Sequence, residues 1–290
     1  MHSSNGKSRK AIVLGIDRNY TMPLTVCLRS ILENRRREVF LDFYVLHSAL
    51  GDGQKEPVVG SLAGFRDFEL HWVPVNNQQI ATLSPGLPHV SRATYFRFLA
   101  PTLLPSHVDV ALYLDSDTIA LGDVAEVFDL FDPTWAVQAC RDFTATMGTP
   151  LVQIPRLESF GIDPDAHYFN SGVLLLNLRR WRAEKLAERL LNFAAENPDC
   201  LFIADQNTIN IVLHGSIGTL PPEWNAQAVY PKLLDGTWKF PYLPQLPPER
   251  AKIYHFTSEI KPWNSGREAP GAALFQDFYS RTAWAERVPC

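Results

Sequence analysis

Residues 108–114 (VDVALYL) form a short apolar run that ends, with no spacer, in Asp115-Ser116-Asp117. Side chains alternate across a strand, so a run that is apolar on both faces suits a strand covered on both sides. Residues 11–16 (AIVLGI) repeat the pattern and end in Asp17. Open α/β sheets bind ligands beyond the carboxyl ends of their strands. Two such strands lying parallel would therefore put Asp17, Asp115 and Asp117 on one rim.

The rest of the chain supplies the layers that such a sheet needs. Strand patterns at residues 40–46 and 68–73 alternate with helical spacing at 24–32, 58–65 and 91–99. This argues for an α/β fold, a mostly parallel sheet flanked by helices. Beyond the carboxylates the pattern predicts a short helix at 124–130, a strand at 135–140 and a loop-rich stretch at 148–164. A strand at 173–178, one long amphipathic helix at 180–195 and a helix at 205–213 follow. Prolines and aromatics crowd residues 221–248, which reads as irregular structure. The expected organisation is a flexible N-terminus over residues 1–10, one domain over 11–266 and a C-terminal helical extension over 267–290.

Composition narrows the partners. A net charge of −4 over 290 residues lacks the basic field of a nucleic-acid binder, and the run Arg35-Arg36-Arg37 reads as a solvated helix end. Cys27, Cys140, Cys200 and Cys290 form no CxxC pair and read as small core residues plus a loose C-terminal thiol. The first ten residues carry no secretory pattern, and no apolar run approaches the roughly 20 residues of a membrane span. The expected location is cytoplasmic. The mixed end FYSRTAWAERVPC supports at most peripheral membrane contact.

Residues two apart in an extended segment point the same way, which would bring the Asp115 and Asp117 carboxylates together. Paired carboxylates repel, so the pair implies a cation; a surface turn is the bland alternative. Hard oxygen ligands suit Mn²⁺ or Mg²⁺, which can bridge to diphosphate oxygens. His255, in IYHFTSEIKPW, follows another short apolar approach and is the candidate third ligand, its alternative being a packed core histidine. An imidazole beside two carboxylates favours Mn²⁺. Lys261, six residues on, is within reach of a phosphate.

The segments GIDRNY, TYFRFLAPTLLP, LYLDSDT, YFNSGVLLLNLRRW, ADQNTIN and HFTSEIKPW occur in this order across nearly the whole chain. In this the sequence resembles the retaining glycosyltransferases of family 8, with bacterial lipopolysaccharide galactosyl- and glucosyltransferases and glycogenin, which have a GT-A fold. The resemblance implies a UDP-sugar donor, UDP-glucose or UDP-galactose, and a saccharide, glycolipid or glycoprotein acceptor. It gives Asp17 to the uracil ring, Asn19 and Tyr20 to the nucleoside, and Asp115, Asp117 and His255 to the divalent metal. Ser258 and Lys261 fall at the donor diphosphate, and Ser116 is among the donor-binding residues. Arg97 would contact the donor sugar or orient the acidic pair. Asn170, Ser171 and Gly172 would line the sugar site, with Asp205 and Gln206 beside the anomeric centre. Ser258 stands where the family has a glycine, which alters the diphosphate loop.

Structural alternatives accompany these roles: Asp17 and Asp205 as helix caps, Arg97 in a surface ion pair, Asn170 in a turn. No strong nucleophile beyond Asp205 is evident, and Gln206 offers only an amide oxygen. Same-face attack is therefore the expected route to retention. Two other readings compete. LYLDSDT also fits the first motif of a haloacid-dehalogenase-like phosphatase, but that motif opens its domain and no later Lys and acidic pair follow at suitable spacing. A non-catalytic sugar-nucleotide-binding protein is the second.

Overall fold

The computed structural model describes residues 6–88, 90–228, 250–257, 259–265 and 269–286. Strands β1 (Arg9–Ile16), β2 (Phe40–His47) and β3 (Phe68–Pro74) are connected through helices α1 (Thr21–Asn34) and α2 (Asp52–Ser61). Helix α3 (Phe96–Leu103) leads into β4 (Val110–Leu114) and the short β5 (Thr118–Ala120). Then come β6 (Val137–Thr146), β7 (His167–Asn177), α4 (Leu178–Ala183), α5 (Leu186–Glu196), α6 (Ala204–Val212) and β8 (Ile217–Thr219). The last elements are β9 (Ala226–Gln227), β10 (Ile253–His255), α7 (Pro262–Ser265) and α8 (Ala272–Tyr279).

The main sheet has the order β3-β2-β1-β4-β7-β6-β8. Only β7 runs against its neighbours β4 and β6; the other pairings are parallel. The expected mostly parallel α/β sheet is thus observed. Alternation explains why its strands read as apolar on both faces. Val13, Tyr113 and Leu174 face one core with α3 to α6, while Ile12, Leu14, Leu112 and Leu175 face the other with α1. Each such fully buried aliphatic side chain contributes about 1.5–3 kcal/mol. The chain runs outward from β1 to β3, then returns to place β4 on the other side of β1. This reversal opens a crevice where β1 and β4 end.

Several elements differ from expectation. Residues 115–117 form a turn between β4 and β5, not an extended segment. The predicted helix at 91–99 begins as a 3-10 turn at Arg92–Tyr95 before α3, and 124–130 is 3-10 throughout. β6 and β7 extend beyond their apolar cores into the polar residues that edge the crevice. The single helix expected at 180–195 is two, broken where Lys185 takes φ 51°. Trp181 Nε1 donates to Ala136 O at 2.8 Å and fixes α4 on the sheet, while Leu186 and Leu190 bury α5 in the core. That burial offsets a left-handed backbone cost of roughly 1–2 kcal/mol.

A second small sheet, β5-β10-β9, carries His255 beside the first. Helix α8 packs Phe275 and Phe278 against Val26 of α1 and Ile119 of β5. Beyond it, Trp284 Nε1 donates to Thr25 Oγ1 at 2.8 Å. Among the described residues no helix is long and apolar enough to cross a membrane.

Candidate active site

The crevice above β1 and β4 is an open cleft of about 950 Å³ counting its mouth. Asp17, at the end of β1, and Asp115 to Asp117, at the end of β4, line the same rim, as parallel strands require. Tyr20, Arg97, Asn170, Ser171, Gly172, Asp205, Gln206, His255 and Lys261 line it too. Asn19 is exposed and lies outside the lining; its N–H donates to Asp17 Oδ1 at 2.8 Å, so Asp17 does cap a 3-10 turn. Ser258 lies outside the described residues.

Asp115, just past the end of β4, lies beside Tyr113 and Arg97 of α3. Arg97, in the first turn of α3, is only 3% exposed, so the surface ion pair is set aside. Its guanidinium lies over the Tyr113 ring at 4.5 Å from the centroid. Arg97 Nη2 donates to Asp115 Oδ1 at 2.8 Å, and Tyr113 Oη donates to the same oxygen at 2.9 Å. On its other side Arg97 pairs with Asp205 Oδ2 at 3.0 Å and donates to Ser171 O. Burial works against the Arg97 charge, but Asp115 and Asp205 outweigh it and raise the guanidinium above its ordinary value.

Asp117 is held on the opposite side. Lys261 Nζ pairs with Asp117 Oδ2 at 2.6 Å and also donates to Phe256 O. Burial raises the Asp117 carboxyl, yet the Lys261 ammonium prevails and holds it below the ordinary carboxylate range. Each carboxylate therefore has one oxygen pinned by a cation. The remaining oxygens, Asp115 Oδ2 and Asp117 Oδ1, face His255 Nε2 at 3.9 and 3.4 Å. The ligand atoms of the three residues lie within 4.8 Å of one another. Two carboxylate oxygens and an imidazole nitrogen converging in this way form a donor set that fits a divalent ion with positions open to the cleft.

Gly172 makes room for this cluster. A Cβ there would collide with His255 Cε1 and lie 2.7 Å from its Nδ1 and 2.9 Å from Asp115 Oδ2. The glycine of the NSG segment thus backs the candidate metal ligands, besides lining the cleft. Tyr20 meets Trp263 edge-on at 5.9 Å, and burial, with Asp117 and Asp115 nearby, raises its hydroxyl well above the ordinary value.

Asp205 does not cap α6, whose N-cap is Ile203. Thr94 Oγ1 donates to Asp205, and burial, only partly offset by Arg97 and Thr94, raises its carboxyl. The preceding Ala204 takes φ 28°, a strained value costing about 1–3 kcal/mol. Gln206 Oε1 accepts from Ser171 N at 3.0 Å.

Residue-type reasoning missed four participants. Tyr113 was visible in principle, two residues before Asp115 on the same face. Thr94 lies in the segment that carries Arg97. Asp142 lies within β6, two residues past the expected strand end at Cys140, which concealed it. Asn225 sits in a proline-flanked turn with no local signal.

The family model for Glycosyl transferase family 8 matches residues 11–266. General stress protein A of Bacillus subtilis is 28% identical over 94% of each chain. Lipopolysaccharide 1,2-glucosyltransferase of Escherichia coli K12 is 27% identical over 96% of this chain and 80% of its own. The crystal structure of galactosyltransferase LgtC with donor and acceptor sugar analogs superposes with a TM-score of 0.77. It is 22% identical over 96% of this chain and 97% of that one, which shows the GT-A fold. The phosphatase alternative falls with these matches: the chain belongs to glycosyl transferase family 8.

Proposed function

We propose that this protein is a metal-dependent retaining hexosyltransferase that moves glucose or galactose from a UDP-sugar to a saccharide, glycolipid or glycoprotein acceptor. Its similarity to a lipopolysaccharide glucosyltransferase supports a cell-surface glycan as acceptor and a role in lipopolysaccharide biosynthesis. A cytoplasmic location belongs to the same proposal. The observation that carries the reading is the convergence of Asp115 Oδ2, Asp117 Oδ1 and His255 Nε2 inside the cleft.

A bound Mn²⁺ or Mg²⁺ would supply Lewis-acid neutralisation of the charge that develops on the departing diphosphate. Asp115, Asp117 and His255 would hold it. Lys261 adds a second positive charge at the same place, so the leaving group meets preorganised electrostatics. Asp17 and Tyr20 are at the rim to bind the nucleoside, Tyr20 by stacking, and Ser116, which also lines the cleft, would contact the donor.

Retention follows either from a covalent intermediate or from attack on the leaving-group face. The side chains favour the second. Gln206 Oε1 is engaged by the Ser171 N–H and hydroxyl, and Asp205 by Thr94 and Arg97. Gln206 offers only an amide oxygen, a poor nucleophile, and Asp205 Oδ2, which takes no hydrogen bond, has its charge offset by Arg97 at 3.0 Å. A departing phosphate oxygen then takes the acceptor proton as the new bond forms.

The test is Mn²⁺-dependent hydrolysis and transfer with UDP-glucose and UDP-galactose, with chelator controls. Turnover of one donor that stops on chelation and returns with Mn²⁺ is the expected result. A protein that binds UDP yet turns over neither donor would point to the non-catalytic reading.

A further inference from the structure

We infer that Asp142 is a positioning residue whose single oxygen Oδ2 orients both the imidazole of His255 and the carboxamide of Gln206. Asp142 lies on β6, is 2% exposed and is outside the lining of the cleft. Its Oδ1 accepts from Thr144 N at 2.9 Å. Its Oδ2 accepts from Asn170 Nδ2 at 3.0 Å and from Gln206 Nε2 at 3.1 Å.

The donor and acceptor roles of this network follow from groups that have only one choice. A backbone N–H can only donate and an ionised carboxylate can only accept. Gly172 N lies 2.9 Å from one amide atom of Asn170, which must be oxygen; the other faces Asp142 and must be nitrogen. Asn225 reaches the same Asn170 oxygen at 2.8 Å, so it presents its Nδ2 there and turns its Oδ1 away. That Oδ1 lies 3.0 Å from His255 Nδ1. An amide oxygen has no proton to give, so His255 carries its proton on Nδ1. In the neutral ring Nε2 is then a bare lone pair directed at Asp115 and Asp117.

The second branch obeys the same logic. Ser171 N lies 3.0 Å from Gln206, which must present oxygen there and nitrogen to Asp142. Asn225 is 2% exposed, so solvent cannot readily replace a lost partner. An amide at position 142 frustrates the network in either orientation. Its NH₂ faces the two NH₂ groups of Asn170 and Gln206, or else the Thr144 N–H.

The consequence for the metal rests on the function proposed above; the proton placement does not. ¹⁵N-histidine NMR of the full chain without metal, at a pH where the ring is neutral, reads the tautomer directly, with His255→Gln assigning the resonance. The expected result is a protonated Nδ1 and a bare Nε2. A proton on Nε2 overturns the inference whatever the variants do. Mn²⁺ titration then tests the consequence: Asp142→Asn and Asn225→Ala each weaken binding about 10–100-fold, as loss of ligand orientation does. A folded Asp142→Asn with wild-type Mn²⁺ affinity and tautomer overturns it. At saturating Mn²⁺, Asn225→Ala keeps more kcat than Asp142→Asn, because only the latter releases Gln206; equal losses overturn the shared role. If wild type binds no Mn²⁺, the proposed function fails while the tautomer still decides the positioning. If Asp142→Asn does not fold, the wild-type tautomer and Asn225→Ala decide.

Discussion

Among the described residues, two places gather a histidine and two carboxylates close enough to hold a metal: Asp115, Asp117 and His255 in the cleft, and Asp42, Glu69 and His71 at the β2–β3 edge of the sheet. By residue type they are near equals. Their surroundings differ. At the edge, Arg9 engages both oxygens of Asp42 and also reaches Glu69 at 3.1 Å. His71 stacks on Tyr44 at 4.6 Å and meets Asp42 Oδ1, already shared with Arg9, at 3.2 Å. The cation is built in, and no Asp42 oxygen is left over. In the cleft, Arg97, Tyr113 and Lys261 pin only one oxygen of each carboxylate and leave the other beside Nε2. Composition marks a cluster; which lone pairs the neighbours leave unused decides what it can bind.

The strongest way to break this comparison is to remove one free oxygen from the cleft cluster. Asp115→Asn is expected to abolish most Mn²⁺-dependent transfer. Losing about 4 kcal/mol of charge stabilisation corresponds to about 10³-fold in rate. Sugar transfer assayed at saturating donor checks this, with circular dichroism confirming the fold. Turnover near the wild-type level would remove the metal from the mechanism.

A smaller blow leaves all three ligands in place. Gly172→Ala adds one methyl that cannot coexist with His255 as it stands. The ring must move off the carboxylates, and Mn²⁺ affinity should fall about 10–100-fold. Gly15→Ala, on β1 across β4 from β7, is the milder comparison. Its Cβ would lie 3.2 Å from Phe96 Cβ and 3.3 Å from Ala93 O and Tyr113 Oη, contacts relieved by a shift of a few tenths of an ångström, so Mn²⁺ affinity should fall less than in Gly172→Ala.

What the chain displays in one dimension follows the same division. The alternating strands, the rim carrying Asp17, Asp115 and Asp117, and the approach to His255 were legible because each is a local pattern. The family motifs named most of the cleft's lining. Asp142 and Asn225 were not legible, because their importance lies in which amide faces which across elements far apart in sequence. The turn at 115–117 was misread as extended, since alternation describes β4 but stops at its last residue. Lys185 and Ala204 adopt positive φ without glycine, so the break between α4 and α5 and the kink before Asp205 left no mark in residue type.

Binding measured without catalysis sharpens the contrast. A ligand that binds only the folded state at 100 times its Kd stabilises by about 2.7 kcal/mol. For a chain of this size that is about 5–10 °C in Tm. Saturating Mn²⁺ should raise the Tm of the wild type and of His71→Ala alike, and leave Asp115→Asn unmoved. If His71→Ala lost the rise while Asp115→Asn kept it, the edge cluster would be the metal site.

The least disruptive change is Asp42→Asn, which leaves the cleft alone. Its cost comes from Arg9, which loses the partner of its fork and must pair with the exposed Glu69 or with water. The Asp42 side chain is only 7% exposed, but Arg9 is 47% exposed, so water recovers much of the loss. About 1 kcal/mol is the expected penalty, typical of a partly solvated pair. That amounts to about 2–4 °C in Tm. Transfer rate and the Mn²⁺-induced rise in Tm should stay at their wild-type values, because nothing in the β1–β4 crevice touches this corner. A fall in turnover without a matching fall in stability would mean that the two clusters communicate through β1, whose first residue is Arg9 and whose last leads into Asp17.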